Sequence, residues 1–256
     1  MVSQSVGTDD LLLALADPAQ IAALSHLSRD PTFSLAGAAS ASAPAFAALK
    51  TSDAESVLSF HPDLVLAASY TQPATLALLR RSGLQLVIIE KFDTLDDVYQ
   101  SLRAVGAAVG HPERAESVIT DSKQRVQALA ARLAGVKPVR VLAVSTYPFT
   151  AGAQTTFQDL CEHAGAVNVA AEAGLTGHAP TPEEKLLTWN AEVLIASGEE
   201  GDGLAARLAQ LPAYQALPAL QAGRLVLLPG PLMSNVSHRR VEAFEALARR
   251  LHPERF

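Results

Sequence analysis

The chain has 256 residues, 49% of them hydrophobic and 18% charged, which suits a packed core in one large or two small domains and excludes a disordered chain. A net charge of −6 gives no basic face for nucleic acid, and the one cysteine, Cys161, excludes a disulfide framework, a multi-cysteine zinc site and a cysteine-ligated iron–sulfur cluster. No apolar run reaches the roughly 18 residues of a membrane span, and no basic region precedes Leu11–Ala16, so a signal peptide is not expected in this chain.

In the first half, short apolar runs alternate with helical patterns. Ile21–Leu24 reads as a strand ending at Ser25-His26-Leu27. Asp63–Ser69 and Gln85–Glu90 read as buried strands, with a helix over Pro73–Arg81 between them. Apolar strands separated by helices indicate a parallel sheet with crossover connections. From Pro112, apolar positions recur at Ala115, Val118, Ile119, Val126, Leu129, Ala130 and Leu133, and Gly135 with Pro138 ends the pattern. One amphipathic helix results, about 34 Å long at 1.5 Å per residue, too long for an ordinary crossover and suited to a strut between two lobes. The second half repeats the first pattern: strand Val139–Ser145, helix Thr155–Ala164, strands Val193–Ser197 and Leu225–Leu228, and a C-terminal helix over Val236–Leu251.

An internal echo supports duplication. Glu55–Leu66 aligns without a gap on Glu184–Ile195, 129 residues later. Each segment reads as a short helix, a turn and a buried strand. A period of half the chain means paired lobes rather than a solenoid.

These residues resemble the substrate-binding proteins of bacterial ABC importers, in the class whose two lobes are joined by one rigid helix and whose members carry cobalamin, haem or ferric siderophores. The resemblance rests on AESVLSFHPDLVLA (54–67), FDTLDDVYQSLRAVGAAVGHPERAESVI (92–119), TFQDLCEHAGAVNVAAEAG (156–174) and SVGTDDLLLALADPAQIAALS (5–25), and on their order. It is strongest towards the cobalamin-binding members. It implies an α/β fold of two lobes with central, mainly parallel sheets flanked by helices: an N-terminal lobe (1–111), an interlobe helix (112–135) and a C-terminal lobe (136–256). It implies a non-catalytic role, a permease and ATPase complex at the inner membrane as partner, a monomer, and a periplasmic or extracytoplasmic location with a lipid anchor as an option. Glu55 and Glu184 match the family's two glutamates that dock on permease arginines, where separated charges set orientation. Both also suit a helix's first turn.

Ligands of open α/β sheets lie outside the carboxyl ends of strands, and in two lobes both sets of ends are expected to face one cleft. The candidates in the first lobe are His26, Leu49, Lys50, Ser69, Tyr70 and Thr71. In the second they are Tyr147, Phe149, His178, Ser234 and Asn235, with Thr146, Gly198, Glu199 and Met233 beside them. Tyr70 and Tyr147 are read as occupying corresponding places, where facing rings would stack on a flat macrocycle. Cobalamin-binding relatives often carry an aromatic six residues before each glutamate; here Leu49 and His178 stand there. His178, in the loop Gly177-His178-Ala179-Pro180, is the one candidate metal ligand, through a chelated iron or cobalt, and otherwise a cleft-lining or solvated loop residue.

His61, His111, His163 and His252 read as structural. His238 and the pairs Arg80–Arg81 and Arg239–Arg240 read as solvated helix faces. Cys161 reads as core.

Scarce basic residues, Lys50 apart, favour a large, weakly charged chelate over a tricarboxylate siderophore. Cobalamin comes first, haem or a ferric hydroxamate second, with no cofactor besides the bound ligand. Enzyme motifs are missing. The rival readings are a chelatase, which needs a histidine–glutamate pair, a nitrogenase-like subunit, which needs several cysteines, and a zinc or manganese receptor, which needs about three converging histidines.

Overall fold

The computed structural model describes residues 1–35 and 46–256. The chain divides into two compact units, Met1–Lys123 with Val236–Arg239, and Gln124–Asn235 with Arg240–Phe256. The division falls inside a continuous helix, α5 (Pro112–Arg132), rather than at its ends.

The first unit holds a five-stranded sheet in the order β3-β2-β1-β4-β5. Its strands are β1 (Val2–Ser3), β2 (Ala23–Ser25), β3 (Ala47–Leu49), β4 (Leu64–Ala68) and β5 (Gln85–Ile89), every pair parallel. All five residues of β4 are buried, which explains its unbroken apolar run. Helix α1 (Val6–Leu15) begins at Ser5, whose hydroxyl accepts from the Thr8 amide, and it buries Leu11, Leu12 and Leu15. Asp9 of α1 is buried too, and its Oδ1 accepts from the Ser25 amide at 3.2 Å. Burial is the main cause that holds its carboxyl well above the usual range. Short α2 (Ala54–Leu58) and α3 (Pro73–Arg81) flank β4. Helix α4 (Leu95–Val109) buries Val98, Leu102, Val105 and Val109, a helical stripe, and ends on Gly110 at φ 85°, a conformation glycine reaches without strain.

The buried positions of α5 are Ala115, Ile119, Ser122, Leu129 and Leu133 just past its end. Ala130, expected on this stripe, is exposed. Ser122 is instead the polar member, 3.0 Å from the Tyr99 hydroxyl.

The second unit holds a parallel sheet in the order β11-β10-β6-β8, made of β6 (Val139–Ala143), β8 (Ala166–Asn168), β10 (Val193–Ser197) and β11 (Leu225–Leu228). A separate antiparallel pair joins β7 (Phe149–Ala151) to β9 (His178–Pro180). Helices α6 (Thr156–His163) and α7 (Val169–Glu172) precede a 3₁₀ helix over Glu183–Trp189, then α8 (Leu204–Ala209), α9 (Pro212–Gln215), α10 (Pro218–Gln221), α11 (Gly230–Met233) and α12 (Arg240–Leu251). No helix among the described residues is long and apolar enough to cross a membrane. Cys161 of α6 is fully buried, and burial pushes its thiol far above the ordinary value.

The C-terminal helix starts four residues later than its apolar pattern predicts. Val236–Arg239 belongs to the first unit, where Ser237 Oγ donates to Asp10 Oδ2 at 2.8 Å. Val236 sits against Gly7, and a Cβ there would meet its Cγ2 at 2.3 Å, so only glycine fits. His238 lies in this stretch, half-buried, and not on the helix. Arg240 is no solvated residue either. It is 2% exposed, its Nη1 is 3.0 Å from Asp159 Oδ2, and its Nη2 donates to the Asn235 carbonyl. The charge pattern of α12 hid a buried ion pair, because arginine two residues from a turn looks the same in sequence whether solvated or paired.

Arg240→Ala should destabilise the protein by about 3–5 kcal/mol, since it strands the Asp159 carboxylate in the interior. Urea unfolding checks this; a midpoint equal to that of the parent would remove the ion pair from the stability of the second unit.

Candidate ligand-binding site

All five strands of the first unit are parallel, so their carboxyl ends lie along one edge. From β1 the chain turns to β2 and β3 on one side, and β4 and β5 lie on the other. The loops after β1 and β4 therefore part company, which opens a crevice. A cavity of about 370 Å³ is found there. Gln4 and Ser5 after β1, Thr51, Ser52 and Asp53 before α2, and Tyr70 and Thr71 after β4 line it, with Gln72 and Thr75 of the α3 entry. Its wall is hydroxyls and amides around one aromatic ring and one carboxylate, with no lysine or arginine among the described lining residues.

Tyr70 is 60% exposed and meets Phe92 edge-on, with centroids 5.8 Å apart and planes at 81°. Thr71 is half-buried, and Ser69 and Lys50 are exposed at the same edge outside the cavity lining. His26 is exposed at the start of a 3₁₀ turn, its Nδ1 3.1 Å from the Leu49 carbonyl. Leu49 itself is 2% exposed and packs with Val2, Ala23, Val57 and Val65. It is the last residue of β3 and faces the core, so its place in the site is corrected to a core position.

Asp53 caps α2. Its carboxylate accepts from Thr51 Oγ1 at 2.5 Å, the Ser56 amide at 2.8 Å and Ser56 Oγ at 2.9 Å. These donors, Thr51 foremost, hold its carboxyl down at about 2. Glu55 stands in the same helix's first turn, exposed.

In the second unit the exposed groups at the carboxyl edge are aromatic. Tyr147 is 76% exposed in a turn that Ser145 Oγ closes by accepting from the Tyr147 amide. Phe149 pairs with Pro180 and Ala151 with His178, so alternate residues put Phe149 and His178 on one face of the antiparallel pair, as diagonal neighbours. His178 is therefore a strand residue and not a loop residue, and it is exposed. Among the described residues, no three histidine, cysteine, aspartate or glutamate side chains converge to hold a bare metal ion. Ser234 is exposed, its hydroxyl donating to the Gly230 carbonyl. Asn235 is 8% exposed and its carbonyl receives Arg240, so it is a buried structural residue and not an exposed lining one. A second cavity, of about 320 Å³, lies beside Leu187, Ala191 and Arg224, at the amino ends of β10 and β11 and away from this edge.

The echo is structural as well as sequential. His61 and Asn190, 129 residues apart, both have positive φ, at 47° and 51°, before equivalent strands. Arg140 holds the second of these turns by donating to the Trp189 and Asn190 carbonyls. The segments differ in helix type: Glu55 is on an α-helix, and Glu184 opens a 3₁₀ helix and is exposed. The sheet order also corrects the pairing of the tyrosines. β4 matches β10, and β6 matches β1, because β10 lies between β6 and β11 as β4 lies between β1 and β5. Tyr70 follows β4 and Tyr147 follows β6, so they do not occupy corresponding places; Glu199 stands at the position of Tyr70.

A family model described as periplasmic binding protein matches residues 2–232. The chain belongs to this family. The periplasmic binding protein is 24% identical over 204 residues to a cobalamin-binding protein of Halobacterium salinarum, covering 77% of this chain and 55% of that one. It is 24% identical over 212 residues to an uncharacterized ABC transporter substrate-binding lipoprotein of Bacillus subtilis, covering 79% and 66%. It thus spans little more than half the length of the first of these curated relatives. Among solved structures, the periplasmic heme-binding protein RhuT of Roseiflexus sp. RS-1 superposes with a TM-score of 0.84 at 22% identity, covering 100% and 98% of the two chains. The periplasmic vitamin B12 binding protein BtuF of Vibrio cholerae superposes at 0.75 and 21%, covering 98% and 96%. At these identities the likenesses fix the two-lobed α/β fold. The family supports a binding role.

Gln4, Asp53, Gln72, Thr75 and Phe92 were not singled out by sequence. Gln4 and Phe92 carried a usable signal, since both lie within three residues of a parallel strand's carboxyl end.

The Asp53 carboxyl should titrate at about 2 in a carbon-detected NMR experiment. Its folded value lies below the ordinary one, so its stabilising contribution is present above the normal carboxylate range and disappears as pH falls through about 2. Thr51→Val should raise the midpoint; an unmoved midpoint would show that the hydroxyl is not the main donor.

Proposed function

We propose that this periplasmic binding protein is the ligand-capturing component of an ABC importer, working outside the inner membrane as a monomer, and that its ligand is a metal chelate, cobalamin or another corrinoid. The observation that carries this reading is the cavity beside Tyr70, with its neutral hydroxyl and amide wall. A corrin ring edge bears amide side chains, which exchange hydrogen bonds with such a wall without needing a counter-charge. Haem propionates and tricarboxylate siderophores favour arginine forks or lysines instead. The name of the Halobacterium salinarum relative supports the same ligand class.

Haem is the second reading. His178, exposed beside Phe149, supports it, because a neutral imidazole next to an apolar ring suits axial ligation of a planar iron macrocycle. The structures named for heme favour this reading only through their fold.

Delivery is to a permease and ATPase complex, with Glu55 and Glu184 as the docking charges. Their exposure at echoed positions, each in the first turn of its helix, supports the role.

Absorption-monitored titration with cyanocobalamin and with haemin tests the ligand. Tyr70→Ala should weaken binding by roughly 1–3 kcal/mol, about 5- to 150-fold, without moving the absorption bands. His178→Ala should do the same if the ligand is a corrinoid, and should shift the Soret band if the imidazole ligates haem. Retention of neither ligand by the parent through gel filtration would sink both readings.

The pair Glu55→Ala and Glu184→Ala should leave affinity within about twofold and lower uptake in cells that carry the importer. Loss of ligand binding by the isolated double variant would put the glutamates in the site and end their docking role.

A further inference from the structure

Gln4 is a buried carboxamide, 5% exposed, at the first position beyond β1. Its Nε2 donates to the Ser52 carbonyl at 3.1 Å, and Ser52 Oγ donates back to the Gln4 carbonyl at 3.1 Å. Its Oε1 lies 3.5 Å from Thr71 Oγ1, a long contact. Gln4, Ser52 and Thr71 all line the cavity beside Tyr70. Ser52 leads directly into Asp53, the cap of the helix that carries Glu55. One side chain thus touches the wall of the cavity on the β4 side and holds the backbone that starts the glutamate helix on the other.

The second unit shows that folding does not require this arrangement. The Gln4 amide donates to the Leu66 carbonyl at 3.1 Å, and the Val144 amide donates to the Ile195 carbonyl at 2.9 Å. Leu66 and Ile195 are 129 residues apart, as are Glu55 and Glu184, so Val144 stands where Gln4 stands. A buried valine completes the same strand exit with the backbone bond alone. Thr181, at the position of Ser52, has its buried hydroxyl without a partner among the described residues. A buried carboxamide is costly to desolvate, and nothing in the shared strand geometry demands it.

We propose that Gln4 couples occupancy of the cavity to the segment Ser52–Ser59 that carries Glu55, so that the docking helix registers a bound ligand. The inference rests on the reading of the cavity as a ligand site and of Glu55 as a docking charge. A ligand polar group that takes the Thr71 hydroxyl or the Gln4 amide changes what Nε2 can give to the Ser52 carbonyl. The next residue is the cap, whose carboxylate holds the Ser56 amide at 2.8 Å. The ordering of that turn therefore follows the state of the cavity, by an amount set by the difference in ligand affinity between the ordered and loosened turn.

Hydrogen exchange on the full chain tests this with two variants: Gln4→Val, which copies the second unit, and Gln4→Glu, which keeps acceptor oxygens and removes the donor to Ser52. In the free protein both should exchange amides 53–59 roughly fivefold faster or more, the scale of one lost hydrogen bond, with β5 unchanged. At saturating cyanocobalamin or haemin, whichever the parent retains, the parent should slow exchange over 53–59 and both variants should lose that response. A full response in either variant, or none in the parent with the probe bound, overturns the coupling. If the parent retains neither probe, the functional reading fails, and the free-protein comparison still decides whether Gln4 holds the segment: equal exchange in parent and variants overturns that too.

Discussion

Parallel pairing on both sides of β1 is the constraint from which the site follows. A strand bonded in parallel to two neighbours must deliver its carboxyl end to the same edge as theirs. Where the chain then winds outward in both directions, the loops at that edge diverge and leave a gap between them. β1 is only two residues long, yet its bonds to β2 and β4 bring Gln4, Ser52 and Tyr70 around one cavity, although these residues are dispersed along the sequence.

The second unit obeys the same constraint with different side chains. Its β6 and β10 meet as β1 and β4 do, and its turn before β10 repeats the positive φ of the first. The polar lining has no counterpart there. Val144 replaces the carboxamide, Pro182 stands where Asp53 caps α2, and the exposed groups are Tyr147, Phe149 and His178. One backbone plan, used twice, carries a hydrogen-bonding wall in one unit and an apolar, imidazole-bearing face in the other. Such a division matches a ligand with a polar rim and a flat apolar body.

Much of the fold was legible because it is written in periodicity. β10 and β11 begin and end where their apolar runs do, and α5 starts at its proline. The short elements were not legible. β7 and β9 have three residues each, too few for alternation to register, and that is why His178 read as a loop residue. Within the site, the strand-end rule found Tyr70 and Thr71. It misjudged Leu49 and Asn235, since a position at a strand or turn end does not say whether the side chain faces the edge or the core. It passed over Gln4 because a two-residue strand leaves no pattern in the sequence. The correspondence of Tyr70 with Tyr147 failed because it counted strands in chain order, whereas equivalence is set by who bonds to whom across the sheet.

The burial of Cys161 has a practical consequence. The only thiol of the chain is enclosed and held protonated at ordinary pH, so maleimide and iodoacetamide reagents should find no native target on the folded protein. The surface is chemically blank. A cysteine placed on each unit could carry a donor and acceptor dye or a pair of spin labels without first deleting a native residue, and the distance between the two units in solution, free and loaded, becomes directly measurable.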